Sequence, residues 1–220
     1  MSASGHYIPA LGYRWFTGLY DPIARIATRE RTFKRALLDE ADLRAREQVL
    51  DVGCGTGTLA IMAAQRAPTA TISGLDGDVA VLERARLKAH RAGVEIHLDH
   101  GSADALPFAD GSFDVVLSSL LFHHLTTATK RQALAEAYRV LTPGGRMVLA
   151  DWGRPHNAAL RLAFLSVQLL DGFATTDDNA QGLIPGFIAD AGFVDVREAR
   201  RFATATGALA IWSARRSTGV

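Results

Sequence analysis

The residues with the most chemistry per position are Asp51-Val52-Gly53-Cys54-Gly55-Thr56-Gly57, which follow the apolar pair Val49-Leu50 and precede a helical stretch. Glycines in such a turn admit positive φ angles and let a ligand lie against bare backbone. The helix beyond it offers unpaired N–H groups and the positive end of its dipole. The spacing is G-x-G-x-G, whereas the pyrophosphate fingerprint of dinucleotide enzymes is G-x-G-x-x-G in the same setting. A nicotinamide dinucleotide is therefore a poor match. Taken alone, the turn is also compatible with a tight strand–helix connection. Asp76 sharpens the reading: it ends the next apolar run about 20 residues on, where a carboxylate can accept hydrogen bonds from both hydroxyls of an adenosine ribose. Its plainer alternative is a helix cap. Together the turn and Asp76 point to an adenosine-containing cofactor.

Further along, His123 and His124 follow the fourth strand, and Asp151-Trp152 end the fifth. These positions fall on the sheet edge where open α/β folds bind ligands. A histidine there can act as a base near neutral pH, so His124, His123 and Asp151 are the catalytic candidates, with loop orientation, capping and packing as the alternatives. Tyr7, Tyr13, Tyr20 and His6 lie in the N-terminal region. The run Arg29, Arg31, Lys34 and Arg35 reads as a solvated helix face. The one cysteine, Cys54, excludes a disulfide within the chain and a zinc or thiolate cluster, and no metal ligand is assigned.

The elements that must hold these groups alternate regularly. Strands are expected at 49–52, 71–75, 95–98, 113–117 and 146–150, with helices at 58–66, 78–91 and 129–141 between them. Asp78 is placed to cap the second of these helices and Gly93 to stop it. A longer helix over 157–172, a short one over 183–191, and strands at 194–197 and 209–214 complete the chain. The apolar segment 160–173 is read as an ordinary buried helix face. The fold class is thus a Rossmann-like, doubly wound, mostly parallel seven-stranded sheet whose last two strands form an antiparallel hairpin. Residues 10–46 read as helical, interrupted by Pro22. With 48% apolar and 21% charged residues and a net charge of +1, the composition is that of an ordinary globular domain. It gives no reason to expect nucleic acid as a partner. No run approaches the roughly 20 apolar residues of a membrane span, and no secretory leader is legible, so the cytoplasm is the expected compartment.

Four blocks, Val49–Gly57, Gly74-Leu75-Asp76, Ala105–Asp114 and Val140–Gly145, together resemble the class I S-adenosylmethionine-dependent methyltransferases. The resemblance is nearest to the ubiquinone/menaquinone C-methyltransferase group and the small-molecule methyltransferases. It implies a helical lid over 1–47 and a methyltransferase domain over 48–220, with S-adenosyl-L-methionine as cofactor. It also implies that Gly53, Gly55 and Gly57, with Cys54 among them, admit the methionine part, that Asp51 sits near its amino group, and that Asp76 holds the ribose. The adenine would lie against Gly77 and the loop after the third strand. There the family often has Gly-Asp-Ala and this chain has Gly101-Ser102-Ala103, so Ser102 or Asp104 would make the polar contact beside Ala103. Ser118 and the residues to Leu121 would border the methyl group.

The resemblance also narrows the acceptor. Amino-methylating DNA enzymes resemble one another in an Asn/Asp-Pro-Pro-Tyr/Phe motif after the fourth strand, where this chain has Ser118-Ser119-Leu120-Leu121. The cysteines of arsenite methyltransferases and the paired glutamates of protein arginine methyltransferases are missing as well. What is left is a small-molecule or lipid-like acceptor methylated at C, N or O, with a homodimer as a further expectation. Two alternatives stand beside this: a catalytically silent cofactor-binding homologue acting as regulator or scaffold, and an NAD-dependent oxidoreductase. The oxidoreductase is disfavoured by the glycine spacing and by the lack of a Tyr-x-x-x-Lys pair.

Overall fold

A computed structural model of the chain describes residues 30–219. His6, Tyr7, Tyr13, Tyr20, Pro22 and Arg29, with most of the expected lid, lie outside the described residues. Seven strands, β1 (Gln48–Val52), β2 (Thr71–Asp76), β3 (His97–His100), β4 (Phe113–Ser119), β5 (Leu141–Trp152), β6 (Val194–Thr204) and β7 (Gly207–Arg215), form one sheet in the order β3-β2-β1-β4-β5-β7-β6. The first five are parallel, and β7 runs antiparallel to both β5 and β6. This is the doubly wound sheet with a C-terminal hairpin that the alternation predicts. The order reverses between β1 and β4, which places the glycine turn and the segment after β4 side by side at the carboxyl edge.

The helices are α1 (Glu30–Ala41), α2 (Thr58–Arg66), α3 (Val79–Ala92), α4 (Thr127–Val140), α5 (Ala158–Asp171), α6 (Phe173–Gln181) and α7 (Ile184–Asp190). Local chemistry sets their ends. The Asp78 carboxylate accepts from the amides of Ala80 at 2.8 Å and Val81 at 3.3 Å, and Gly93 stops α3 at φ 65°. Asn157 caps α5 by accepting from the Leu160 amide at 2.8 Å.

Alternation along the central strands divides the core in two. Leu50, Val52 and Val116 face α4 and α7 in a cluster with Leu134, Ile188 and Trp212. Val49, Val115 and Leu117 face α1, α2 and α5 in a second cluster with Leu37, Leu59 and Phe164. By the same alternation Asp51 points to the α1–α2 side.

Several expectations shift. The strand expected at 95–98 lies at His97–His100, opposite Ser73–Asp76. β5 begins at Leu141 and carries Pro143-Gly144-Gly145 inside it, with Gly144 at φ 80°. β6 runs to Thr204, its length hidden in the sequence by charged residues such as Arg197, Glu198 and Arg201 that blunt an edge strand. Helix α6 has no counterpart in the expected elements, because its polar sequence FATTDDNAQ carries little apolar periodicity. In the basic run, Lys34 is buried and paired with Glu30 at 2.7 Å, while Arg31 and Arg35 are exposed. In α5 the buried face is Leu160, Phe164, Val167 and Gln168, while Leu162, Leu169 and Leu170 remain exposed.

Candidate functional site

The turn after β1 is held by its own hydrogen bonds. The amides of Gly53 and Cys54 both donate to the Leu75 carbonyl, at 2.8 and 3.0 Å, and the Gly57 amide donates to the Cys54 carbonyl at 2.9 Å. The Gly55 amide donates to Asp76 Oδ2 at 2.8 Å. Gly53, Gly55 and Gly57 sit at φ 71°, 55° and 71°, so each needs the left-handed freedom of glycine. A Cβ on Gly53 would come within 2.8 Å of the Leu121 side chain and one on Gly57 within 3.1 Å of Ala85, whereas a Cβ on Gly55 would meet nothing within 4 Å. Gly55 therefore faces the open side of the turn. Cys54 turns the other way: its thiol is buried against Gly74 and burial pushes its pKa far up, so its side chain packs the turn onto β2.

With these amides already engaged, the turn is a weak cradle for a pyrophosphate. What it offers instead is acid. Asp51 is fully buried and, among the described residues, neither carboxylate oxygen has a hydrogen-bond partner. Burial pushes its pKa up to about 7; the Lys34 charge and the Ala60 amide, which face it without closing a hydrogen bond, offset part of the rise. An orphaned buried carboxylate is costly unless a cation or donor meets it. Asp76 stands half-buried on the other side of the turn, its pKa raised by burial despite the amides of Asp78 and Gly55. Each of its oxygens accepts one backbone bond, from Gly55 at 2.8 Å and Asp78 at 3.0 Å, and each keeps a further acceptor position.

The loop after β3 is tied to this corner. The Gly101 amide donates to the Asp76 carbonyl at 3.1 Å, and His100 Nε2 lies 3.1 Å from the Gly77 carbonyl. Gly77 and residues 101–103 are thereby brought together, with Ala103 buried. The Ser102 hydroxyl donates to Asp104 Oδ1, which joins the two candidates for a polar adenine contact into one group. The Ser118 hydroxyl, by contrast, donates to the Val52 carbonyl at 2.9 Å and is buried, so it stitches β1 to β4 at the switch point. The partly buried neighbours of that stitch are Leu120, at φ 56°, and Leu121, which covers Gly53. A positive φ on leucine is a strained backbone worth about 1–3 kcal/mol, held by the Leu120 amide donating to the Ala150 carbonyl at 2.8 Å.

The histidines follow in a short 3-10 turn, Phe122–His124. His123 is buried, and its Nδ1 lies 2.8 Å from Asp151 Oδ1. Asp151 is fully buried and accepts from the amides of Phe122 at 2.8 Å and Trp152 at 2.7 Å, and from Asn179 Nδ2 at 3.3 Å. Burial opposes ionisation of Asp151, but the His123 charge and these bonds hold its pKa below the usual range. The matching effect raises His123, where Asp151 and Asp171 outweigh burial. Asp151 thus lies behind His123 and positions it, and Trp152 is packed against Phe164 with ring centres 5.8 Å apart. Neither side chain reaches the surface, which favours the capping and packing alternative for Asp151-Trp152. His124 keeps an exposed edge, with its ring centre 3.9 Å from that of His123. Burial and His123 hold its pKa well below the ordinary value, so it is a neutral acceptor at neutral pH.

Sequence reasoning passed over Asp171, Asn179, Lys130 and Asp178. Lys130 is fully buried, bonded to the Thr175 carbonyl at 2.6 Å and Asp178 at 2.9 Å, and so docks α6 beneath the histidine turn. A signal was present for Asp171, a lone carboxylate at the end of an otherwise apolar helix. α6 offered none.

A family model described as a methyltransferase domain matches residues 49–145. The demethylmenaquinone methyltransferase of Thermus thermophilus is 37% identical over 147 residues, covering 66% of this chain and 66% of that protein. The ubiquinone/menaquinone biosynthesis C-methyltransferase UbiE of Dinoroseobacter shibae is 39% identical over 136 residues, covering 61% of this chain and 54% of that protein. The chain thus spans between about half and two thirds of the length of these curated relatives. Among solved structures, the YcgJ protein of Bacillus subtilis aligns with a TM-score of 0.68 at 18% identity, over 86% of this chain and 100% of that one, a likeness of fold. The chain belongs to the class I S-adenosylmethionine-dependent methyltransferases.

Proposed function

We propose that this protein transfers a methyl group from S-adenosylmethionine to a small, apolar acceptor. The observation that carries the reading is the buried, unpartnered Asp51 carboxylate beside a glycine turn whose amides are already engaged. Such a site suits a cationic amino-acid nucleoside better than an anionic dinucleotide. Asp51 would meet the amino group, Gly55 would give passage along the turn, Asp76 would accept from the ribose hydroxyls, and Gly77 with residues 101–103 would border the adenine. When bound, the sulfonium supplies an electrophilic methyl: the acceptor's electron pair forms the new bond to carbon while the old C–S pair returns to sulfur.

The protein's share is alignment and exclusion of water. Leu120 and Leu121 lie at the switch point between cofactor and acceptor sides. His124, held neutral and partly exposed, is placed to accept a hydrogen bond from the acceptor and orient it, while Asp151 fixes His123 beneath it. Leu170 and Phe173, exposed and next to Asp171 in the chain, favour an apolar acceptor. The quinone-methylating relatives make a substituted aromatic ring the first acceptor class to test. We further propose that residues 48–220 act as one catalytic unit, in the cytoplasm.

The test is transfer of a labelled methyl from S-adenosylmethionine into a panel of quinols, phenols and amines, with the demethylated cofactor counted as product. Incorporation into at least one acceptor, abolished by Asp76→Ala, is the expected result. Tight cofactor binding with no incorporation into any class would overturn the catalytic reading.

A further inference from the structure

The carboxyl-edge cluster brings Asp171 against the two histidines in a geometry that orienting an acceptor does not require. His123 Nε2 lies 3.8 Å from Asp171 Oδ2, and His124 Nδ1 lies 4.0 Å from Asp171 Oδ1. One ligand atom from each of the three residues falls within 4.8 Å of the others. The contacts to Asp171 are too long for hydrogen bonds, which run at about 2.7–3.2 Å. They approach the roughly 3.3–3.5 Å between ligands of a tetrahedral ion bound at about 2.0–2.2 Å.

Asp171 is an odd residue to find here unless something cationic faces it. Its side chain is only 7% exposed, and among the described residues its carboxylate accepts no hydrogen bond. It is also the last residue of α5, at the negative end of the helix dipole, with no basic residue in that last turn. Behind the cluster, the Asp151–His123 bond fixes the ring with Nδ1 engaged and Nε2 aimed at Asp171. A carboxylate holding the far nitrogen of a histidine is the usual outer support of a metal-ligating imidazole. Charge is balanced as well, since a divalent ion would offset Asp151 and Asp171 together.

We infer that His123 Nε2, His124 Nδ1 and Asp171 form a binding site for a divalent transition ion of the zinc class, with Asp151 positioning His123. Three protein ligands leave a fourth position, and it opens on the exposed edge of His124. That is the pattern of sites whose ion exchanges a water for another ligand. The His124 and Asp171 side chains need to close by roughly 0.5–1.5 Å to reach bonding distance. The site stands independently of the cofactor reading, because none of its ligands is drawn from the glycine turn, Asp51 or Asp76. It also revises the expectation, drawn from the single cysteine, that no metal is held.

The test uses the full chain, stripped with a chelator and titrated with Zn²⁺ alone against a chromophoric competitor, with Co²⁺ absorption as the second readout. Expected are one equivalent bound at micromolar or tighter affinity and a visible Co²⁺ band of tetrahedral intensity. His124→Ala and Asp171→Asn, a half-exposed and an isosteric change that spare the fold, are each expected to weaken binding at least tenfold. Asp151→Asn is expected to weaken it about 10–100-fold through the His123 ring, and His97→Ala, on the far edge strand, to leave it unchanged. Absence of stoichiometric binding, or binding that survives both His124→Ala and Asp171→Asn in folded protein, would overturn the inference and leave a hydrogen-bonded histidine pair in its place.

Discussion

Asp51 makes the fold itself sensitive to pH. Its carboxyl is held at about 7 instead of 3.8 because burial removes it from water, with Lys34 and Ala60 giving only partial relief. A group whose folded-state pKa lies above its unfolded value gives its full stabilisation below the unfolded value and loses it as pH rises through the folded one. The window therefore runs from 3.8 to about 7. At about 1.4 kcal/mol per pKa unit, the stability lost across it is on the order of 4 kcal/mol. Asp51→Asn has nearly the same shape and cannot ionise, so it should erase that loss while leaving groups common to both proteins to cancel. The assay is urea unfolding of both proteins at several pH values between about 4 and 8. The expected result is that the variant gains on the wild type by roughly 4 kcal/mol between the two ends. Parallel curves would refute the reasoning, since they would mean that Asp51 titrates as an ordinary carboxyl. The same shift ties cofactor to protons. A cationic amino group favours the ionised carboxylate, so S-adenosylmethionine should bind more weakly below about pH 7 and release a proton on binding there.

Other expectations follow from the same geometry. Asp76→Ala should weaken S-adenosylmethionine binding at least tenfold by calorimetry, since hydrogen bonds to a charged acceptor are worth about 1.5–3 kcal/mol each; unchanged affinity would remove Asp76 from the site. Gly55→Ala places its Cβ in open space at φ 55°, so it should cost about 1 kcal/mol of stability yet sharply reduce cofactor binding. Gly57→Ala, 3.1 Å from Ala85, should lower the melting temperature further because α3 must shift; equal losses for the two would contradict the assigned orientation. Lys130→Met leaves Asp178 buried without its cation and should cost about 3–5 kcal/mol, read by urea unfolding.

The parts of this molecule legible in the sequence are those governed by short-range rules. Asp78 and Gly93 bound α3 because capping and left-handed backbone are local requirements, and the β1–turn–α2 unit is fixed by its glycines. The antiparallel hairpin followed from two late strands with no helix between them. Long-range geometry was less visible. Cys54 and Ser118 lie at the positions expected of ligand-facing residues, yet one is packed on Gly74 and the other bonded to Val52, because which side of the turn or strand a side chain takes depends on the neighbouring strand. Asp151 reads from the sequence as a catalytic candidate at the sheet edge and sits behind His123, a depth set by α6, whose polar sequence gives no sign of a helix. Asp171 reaches the histidines only because α5 ends where it does.

The most direct measurement is a calorimetric titration of the folded protein with S-adenosylmethionine, its demethylated product and NAD. Micromolar binding of the first two with none of NAD is the expected outcome, and it should be lost in Asp76→Ala. Binding of NAD in preference, or no binding of any of the three by folded protein, would contradict the assignment of the β1 turn as a site for S-adenosylmethionine.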